Sequence, residues 1–194
     1  MKLELSYTKS ALASIYVTSL KGYDNDLFAA KILEIGDQQN RLTNVKADMT
    51  EWQSFFPEWK ELSMDVVSNH LIELVGIIEA TWIVHSLWGV NYRKGDHTIF
   101  HDHSPSTFSF CYYVKIDKGS SPLVFSDIDY KHFPEENSLI IFPSHLKHGV
   151  PSQISDGRRI VISGNINAIS GLTTVDEETF RQGLIEERTV VCRK

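Results

Sequence analysis

Cysteine is scarce in this chain, with Cys111 and Cys192 the only two among 194 residues. Two such distant cysteines make no disulfide framework, which removes the small, disulfide-stapled secreted scaffolds. Cys111, set in an aromatic strand pattern, reads instead as a small buried hydrophobe. No window approaches the ~18 consecutive apolar residues of a membrane span. Met1-Lys2-Leu3-Glu4-Leu5-Ser6 has no apolar block behind its lysine, so a signal peptide is not expected and the expected compartment is a reducing cytoplasm. A cationic surplus is also missing: 19 Lys and Arg stand against 25 Asp and Glu, for a net charge of -6. Arg158-Arg159 is only a pair, so no nucleic-acid partner is expected. Internal repeats and low-complexity segments are absent.

What is present is the composition of a soluble globular protein, 42% hydrophobic and 23% charged. A chain of 194 residues builds one core rather than two, so a single domain is expected over 1–194. Its helical N-terminal part runs over about 1–80 and its β core over about 81–166. Ala13 to Leu20 reads as a strand. Asp24-Asn25-Asp26 can cap a helix carrying Leu27, Phe28, Ile32 and Ile35 at helical spacing, stopped at Gly36. Gln38 to Asp48 is polar and reads as loop. Trp52, Phe55, Phe56 and Trp59 form an aromatic cluster that packs a loop onto the core or lines a pocket mouth. Lys60 to Ala80 shows the best helical stripe, with Leu62, Val66, His70, Leu74, Ile77 and Ile78 on or near one face; His70 belongs to that face rather than to a ligand set.

Beyond residue 80 the pattern changes. Ala80 to Val90 reads as a strand with Trp82, Val84, Ser86, Trp88 and Val90 on one face and Ile83, His85 and Leu87 on the other. Thr107 to Ile116, Leu123 to Phe125, Ser138 to Phe142 and Arg159 to Ser163 are further short strands, separated by turns such as Lys94-Gly95-Asp96 and Asp117 to Pro122. This spacing predicts an all-β barrel or jelly roll with flanking helices, one of them at Asp176 to Glu186.

Chemistry concentrates at His101-Asp102-His103 and His148. Residues i and i+2 of a strand share a side, so His101 and His103 can offer two imidazoles to one ion while Asp102 faces away. His148, after the strand ending at Phe142, can supply a third. Imidazole suits Fe, Zn, Ni and Cu, and two histidines with one carboxylate is the usual non-haem Fe(II) face. The third ligand is therefore His103 or an outside carboxylate, with Asp127 the foremost candidate, although Asp127 also fits a turn cap or a substrate contact. Arg159 opens a strand eleven residues after His148. A buried arginine there needs an anion, and a carboxylate matches its fork. Metal, open coordination positions and arginine together suggest a chelating keto acid.

Trp88-(x)2-Asn91-(x)3-Gly95, His101-x-His103, Ser106-(x)2-Ser109, Tyr112-Tyr113, Phe125, Phe142-Pro143-Ser144-(x)3-His148-x-Val150 and Arg159-Ile160-x-Ile162-(x)2-Asn165 resemble the 2-oxoglutarate- and Fe(II)-dependent oxygenases of marine bacteria and cyanobacterial phages, within the prolyl-hydroxylase-like superfamily. The resemblance covers roughly Trp82 to Asn165. It implies a double-stranded β-helix, a cupin-like jelly roll. It also implies metal binding by His101, His103 and His148, and a distal 2-oxoglutarate carboxylate on Arg159, with Asn91 and Tyr113 lining the same pocket. Its activity is hydroxylation of a peptide or small molecule, yielding succinate and CO2. Three departures stand out. His103 replaces the commoner aspartate, Val161 stands where relatives carry serine, and Phe110 stands where glycine is usual. The alternatives are a cupin-type metal enzyme that uses no keto acid and a non-catalytic jelly roll with a binding or structural role. Barrels of this size often bury an edge or helix against a second copy, so a homodimer is one expectation.

Overall fold

A computed structural model describes residues 2–6, 12–34, 43–75, 80–169 and 190–192. Two antiparallel sheets face one another, with helices against the outer side of the larger. The larger sheet is built from β1 (Lys2–Ser6), β2 (Leu12–Ser19), β4 (Asp48–Met49), β5 (Thr81–Tyr92), β7 (Phe108–Ile116), β10 (Ser138–Pro143), β12 (Arg159–Ile169) and β13 (Val190–Cys192). Its order is β1-β2-β10-β7-β12-β5-β13, with β4 also on β5. The smaller sheet, in the order β3-β6-β11-β8-β9, uses β3 (Val45–Lys46), β6 (His97–His101), β8 (Leu123–Phe125), β9 (Tyr130–His132) and β11 (His148–Val150). The expected jelly roll with flanking helices is what the chain builds. The expected C-terminal helix, Asp176 to Glu186, lies outside the described residues.

Strand alternation splits the core in two. One layer lies between the sheets: Trp88, Val90 and Tyr92 of β5 meet Cys111 and Tyr113, Ile140 and Phe142, Val161, Phe125 and Val150. The other lies beneath the helices, where Leu87, Phe110, Tyr112, Ile141, Ile162 and Ile166 receive Phe28 and Ile32 of α1 (Asn25–Glu34) and Leu62, Val66 and Leu71 from the later helix. That later helix starts as α2 (Lys60–Asp65), continues through a π-helical turn (Val66–Leu71) and ends as α3 (Ile72–Val75). The wider turn brings residues five apart together. His70 Nε2 lies 3.5 Å from Asp65, and Tyr23 and Asn69 each donate to that carboxylate at 2.7 Å. Burial alone would raise the Asp65 pKa, but these hydrogen bonds and His70 hold it below the ordinary value. His70 also meets the Tyr16 hydroxyl at 3.1 Å, which makes it a helix-to-sheet contact.

Two expectations need correcting. Trp82 and Val84 do not share a face with Trp88 and Val90. Ser86 pairs with Asn165 and Val84 with Ile166, so His85 is an extra residue, and this bulge reverses the alternation. Val84 consequently packs beneath the helices with Leu87. The polar run Gln38 to Asp48 is not all loop, because Val45–Lys46 and Asp48–Met49 pair with β6 and β5. The aromatic cluster packs its loop onto the core: Trp59 is fully buried on the helix side, while Trp52 is exposed and meets Trp88 edge-on at 4.6 Å. Among the described residues no helix is long and apolar enough to cross a membrane.

Phe110 has room because its cross-strand neighbour is Gly164. A Cβ at Gly164 would lie 2.6 Å from the Phe110 ring and 2.9 Å from the Ser86 carbonyl. Gly164→Ala is expected to lower stability by roughly 1–3 kcal/mol through overpacking. The urea midpoint measures this, and an unchanged midpoint would show that β12 and Phe110 yield freely.

Candidate metal centre and carboxylate pocket

β11 lies between β6 and β8, and His148 sits opposite both His101 and Phe125. Directly opposed residues in an antiparallel pair share a face, which explains why the His101 and His148 rings meet at 4.7 Å. Gly149 permits the approach, since a Cβ there would lie 2.9 Å from the Thr98 carbonyl oxygen. β6 ends at His101, so His103 reaches the same place by a turn rather than by strand alternation. Its N–H donates to the Ser144 carbonyl at 2.9 Å, and its ring lies 5.7 Å from Trp88. Candidate ligand atoms of His101, His103 and His148 all lie within 4.8 Å of one another, a spacing that one ion about 2.1 Å from each nitrogen would draw together.

The ring nitrogens are already sorted. His101 Nδ1 contacts the Ile99 carbonyl at 2.7 Å, and His148 Nδ1 contacts the Leu146 carbonyl at 2.8 Å. A carbonyl only accepts, so each Nδ1 carries the proton and each Nε2 keeps its lone pair for an ion. Burial lowers the pKa of all three rings. His103 is pushed to about 3 by burial and by the neighbouring His148 and His101. His148 is pushed to about 4 by burial and His101. The residues present fit a divalent ion that accepts neutral nitrogen donors.

Behind His103 runs a buried hydrogen-bond chain. Asn165 Nδ2 donates to Ser86 Oγ at 3.0 Å, Ser109 Oγ donates to Asn165 Oδ1 at 2.9 Å, and Ser144 Oγ meets Ser109 Oγ at 2.7 Å. Because Ser109 gives its proton to Asn165, Ser144 must donate to Ser109. The chain thus ties β5, β12 and β7 to the turn whose carbonyl holds His103.

The histidines share a cavity of about 50 Å³ with Trp88, Tyr92 and Arg159. Arg159 is 1% exposed, and its guanidinium lies 5.0 Å from the Tyr92 ring centroid and 5.3 Å from that of Tyr113. Among the described residues no carboxylate forms an ion pair with it, and its Nε has no hydrogen-bond partner. Tyr113 is not among the residues that line the cavity; its hydroxyl is likewise buried and unpartnered, and burial raises its pKa so that it keeps its proton. Val161 contributes only methyl groups to the cavity wall.

Other expected site residues lie elsewhere. Asn91 is buried but projects away from this cavity toward Asp48, 3.4 Å from its carboxylate. Asp127 Oδ2 accepts the Lys147 N–H at 2.9 Å, capping the turn before His148, and it is not in the cluster of candidate ligands. Asp102 is exposed and accepts the Ser104 N–H. Two residues escaped the sequence reading. Tyr92 was reachable, since Trp88, Val90 and Tyr92 continue one alternation; His132, on three-residue β9, carried no periodic signal.

No protein-family model matches the chain, and no curated protein matches it in sequence. Solved structures do match in fold. A viral collagen prolyl hydroxylase from Paramecium Bursaria Chlorella virus-1, in complex with 2OG, superposes with a TM-score of 0.59 at 16% identity, covering 79% of this chain and 97% of that one. HygX from Streptomyces hygroscopicus, with nickel and 2-oxoglutarate bound, gives 0.61 at 8% identity over 79% and 82%. A Pseudomonas putida prolyl-4-hydroxylase gives 0.55 at 13% identity over 78% and 91%. At these identities the likeness is one of fold.

The buried rings have a consequence for pH. In the unfolded chain His103 and His148 take up protons near pH ~6.5, which their folded forms refuse until about 4 or below. Between those values the unfolded state binds more protons, so stability falls as pH falls. The urea midpoint of metal-free protein is expected to drop steadily from pH ~6.5 to ~4. A flat profile would mean that the rings protonate freely in place.

Proposed function

We propose that this chain is a mononuclear non-haem Fe(II)- and 2-oxoglutarate-dependent dioxygenase that hydroxylates a peptide or small molecule. The observation that carries the reading is an unpaired, buried Arg159 on the wall of the same cavity that three neutral imidazoles enter. A carboxylate is the natural partner for a guanidinium that meets no acid among the described residues. A metal-chelating oxo acid with a second carboxylate would use the imidazole cluster and the arginine at once. The fold shared with proteins that hold 2-oxoglutarate adds support.

In this reading His101, His103 and His148 hold Fe(II), and Arg159 with Tyr113 takes the distal carboxylate. The bound pair would supply oxidative decarboxylation of 2-oxoglutarate by O2, one oxygen atom ending in succinate beside CO2 and the other in the hydroxyl of the substrate. The protein positions and excludes. The Ile99 and Leu146 carbonyls aim two Nε2 lone pairs inward. The chain from Ser86 to Ser144 sets the backbone of His103, and Trp88 packs against its ring. Trp52, exposed beside Trp88, forms part of the surface that a substrate meets.

One feature favours a second reading. The donor set contains no carboxylate, as in cupin-type dioxygenases that use no keto acid. Anaerobic titration of metal-stripped protein with Fe(II) and then 2-oxoglutarate separates the two. The expected result is a weak visible metal-to-ligand charge-transfer band, abolished in His148→Ala and weakened in Arg159→Ala. Iron binding without that band would transfer the assignment to the cupin reading. Absence of iron binding would leave the imidazoles as structural groups.

A further inference from the structure

β9 pairs with β8, with His132 opposite Leu123. Paired residues share a face, and Leu123 lines the metal-centre cavity, so the His132 side chain also turns between the sheets. There it is 8% exposed, and its Nε2 has no hydrogen-bond partner. Its ring centroid lies 5.5 Å from that of Tyr113, the same ring that the Arg159 guanidinium approaches at 5.3 Å. Three buried polar atoms are therefore orphaned around one cation: Arg159 Nε, Tyr113 Oη and His132 Nε2. Buried polar groups are nearly always satisfied, so a cluster of orphans marks a missing partner.

The three have the same polarity. Arg159 only donates. Tyr113 keeps its proton because burial raises its pKa. Burial and Arg159 push His132 down to about 4, so it is a neutral ring able to carry a proton on Nε2. A carboxylate, with two oxygens and about four acceptor sites, is complementary to three such donors. Opposite Tyr113 itself β12 presents no hydroxyl, because Val161 stands there.

We propose that His132 is a cosubstrate-binding residue that reads the distal carboxylate of an oxo-dicarboxylic acid together with Arg159 and Tyr113, so that selection for a dicarboxylate is shared between the two sheets. This rests on the 2-oxoglutarate reading above. It assigns the smaller sheet's third-residue histidine a direct ligand contact rather than a packing role. An oxo acid without the second carboxylate would leave all three donors unpaired, and a site built around such donors rejects that ligand strongly.

The test is anaerobic calorimetry on Mn(II)-loaded protein with two probes of equal chain length, 2-oxoglutarate and 2-oxopentanoate. Wild type should bind the dicarboxylate more tightly. His132→Phe, which keeps a ring and removes the nitrogens, should weaken 2-oxoglutarate about tenfold and leave 2-oxopentanoate unchanged. His132→Gln, which keeps an N–H donor, should recover part of the loss. His132→Phe binding 2-oxoglutarate as wild type does, or losing both acids equally, would overturn the role and leave His132 as packing. Wild type that binds neither acid would overturn the proposed function itself.

Discussion

The pairing of β11 between β6 and β8 is the constraint on which the site depends. It sets His148 opposite His101, so the two rings face the same way without help from side-chain packing. A slip of one residue would turn His148 away and put Gly149 in its place. Gly149 itself allows the strands to come close enough for the pairing. The backbone then finishes the work, because carbonyls two residues upstream take the Nδ1 protons of both rings. Register, ring orientation and tautomer thus follow from one set of hydrogen bonds.

His103 is held by a different device. It lies past the end of β6, where no ladder constrains it, and a polar chain through Ser109 and Asn165 anchors the carbonyl that receives its N–H. Buried polar chains are costly unless their members are satisfied, and here Ser144, Ser109 and Asn165 each donate to the next member. Arg159 is the counterexample within the same core. Its charge is buried against aromatic faces with no acid beside it among the described residues, an arrangement that a folded protein keeps at a cost. Under the proposed function the two halves of the site differ in kind: the imidazole end would be completed by an ion and the arginine end by an anion.

Much of this fold is legible in the sequence. Alternation across Thr107 to Ile116 and Ser138 to Phe142 gave strands close to those observed, and Leu62, Val66 and Leu74 marked the main helix. The strands that went unseen, such as Val45–Lys46, Asp48–Met49 and Tyr130–His132, hold two or three residues and are too short to carry a period. The bulge at His85 was equally invisible, because an extra residue in one strand is defined only by its partner.

The sequence by itself determined the residue types for a metal and an anion, their order along the chain, and the β class of their scaffold, because each follows from local pattern and side-chain chemistry. Tertiary structure decided which of those residues meet. It gathered His103 by a turn, sent Asn91 to the outer face toward Asp48, used Asp127 to cap a turn and brought His132 to the Tyr113 ring. These outcomes depend on pairings between segments far apart in the chain, and strand register is a property of two partners that neither segment encodes alone.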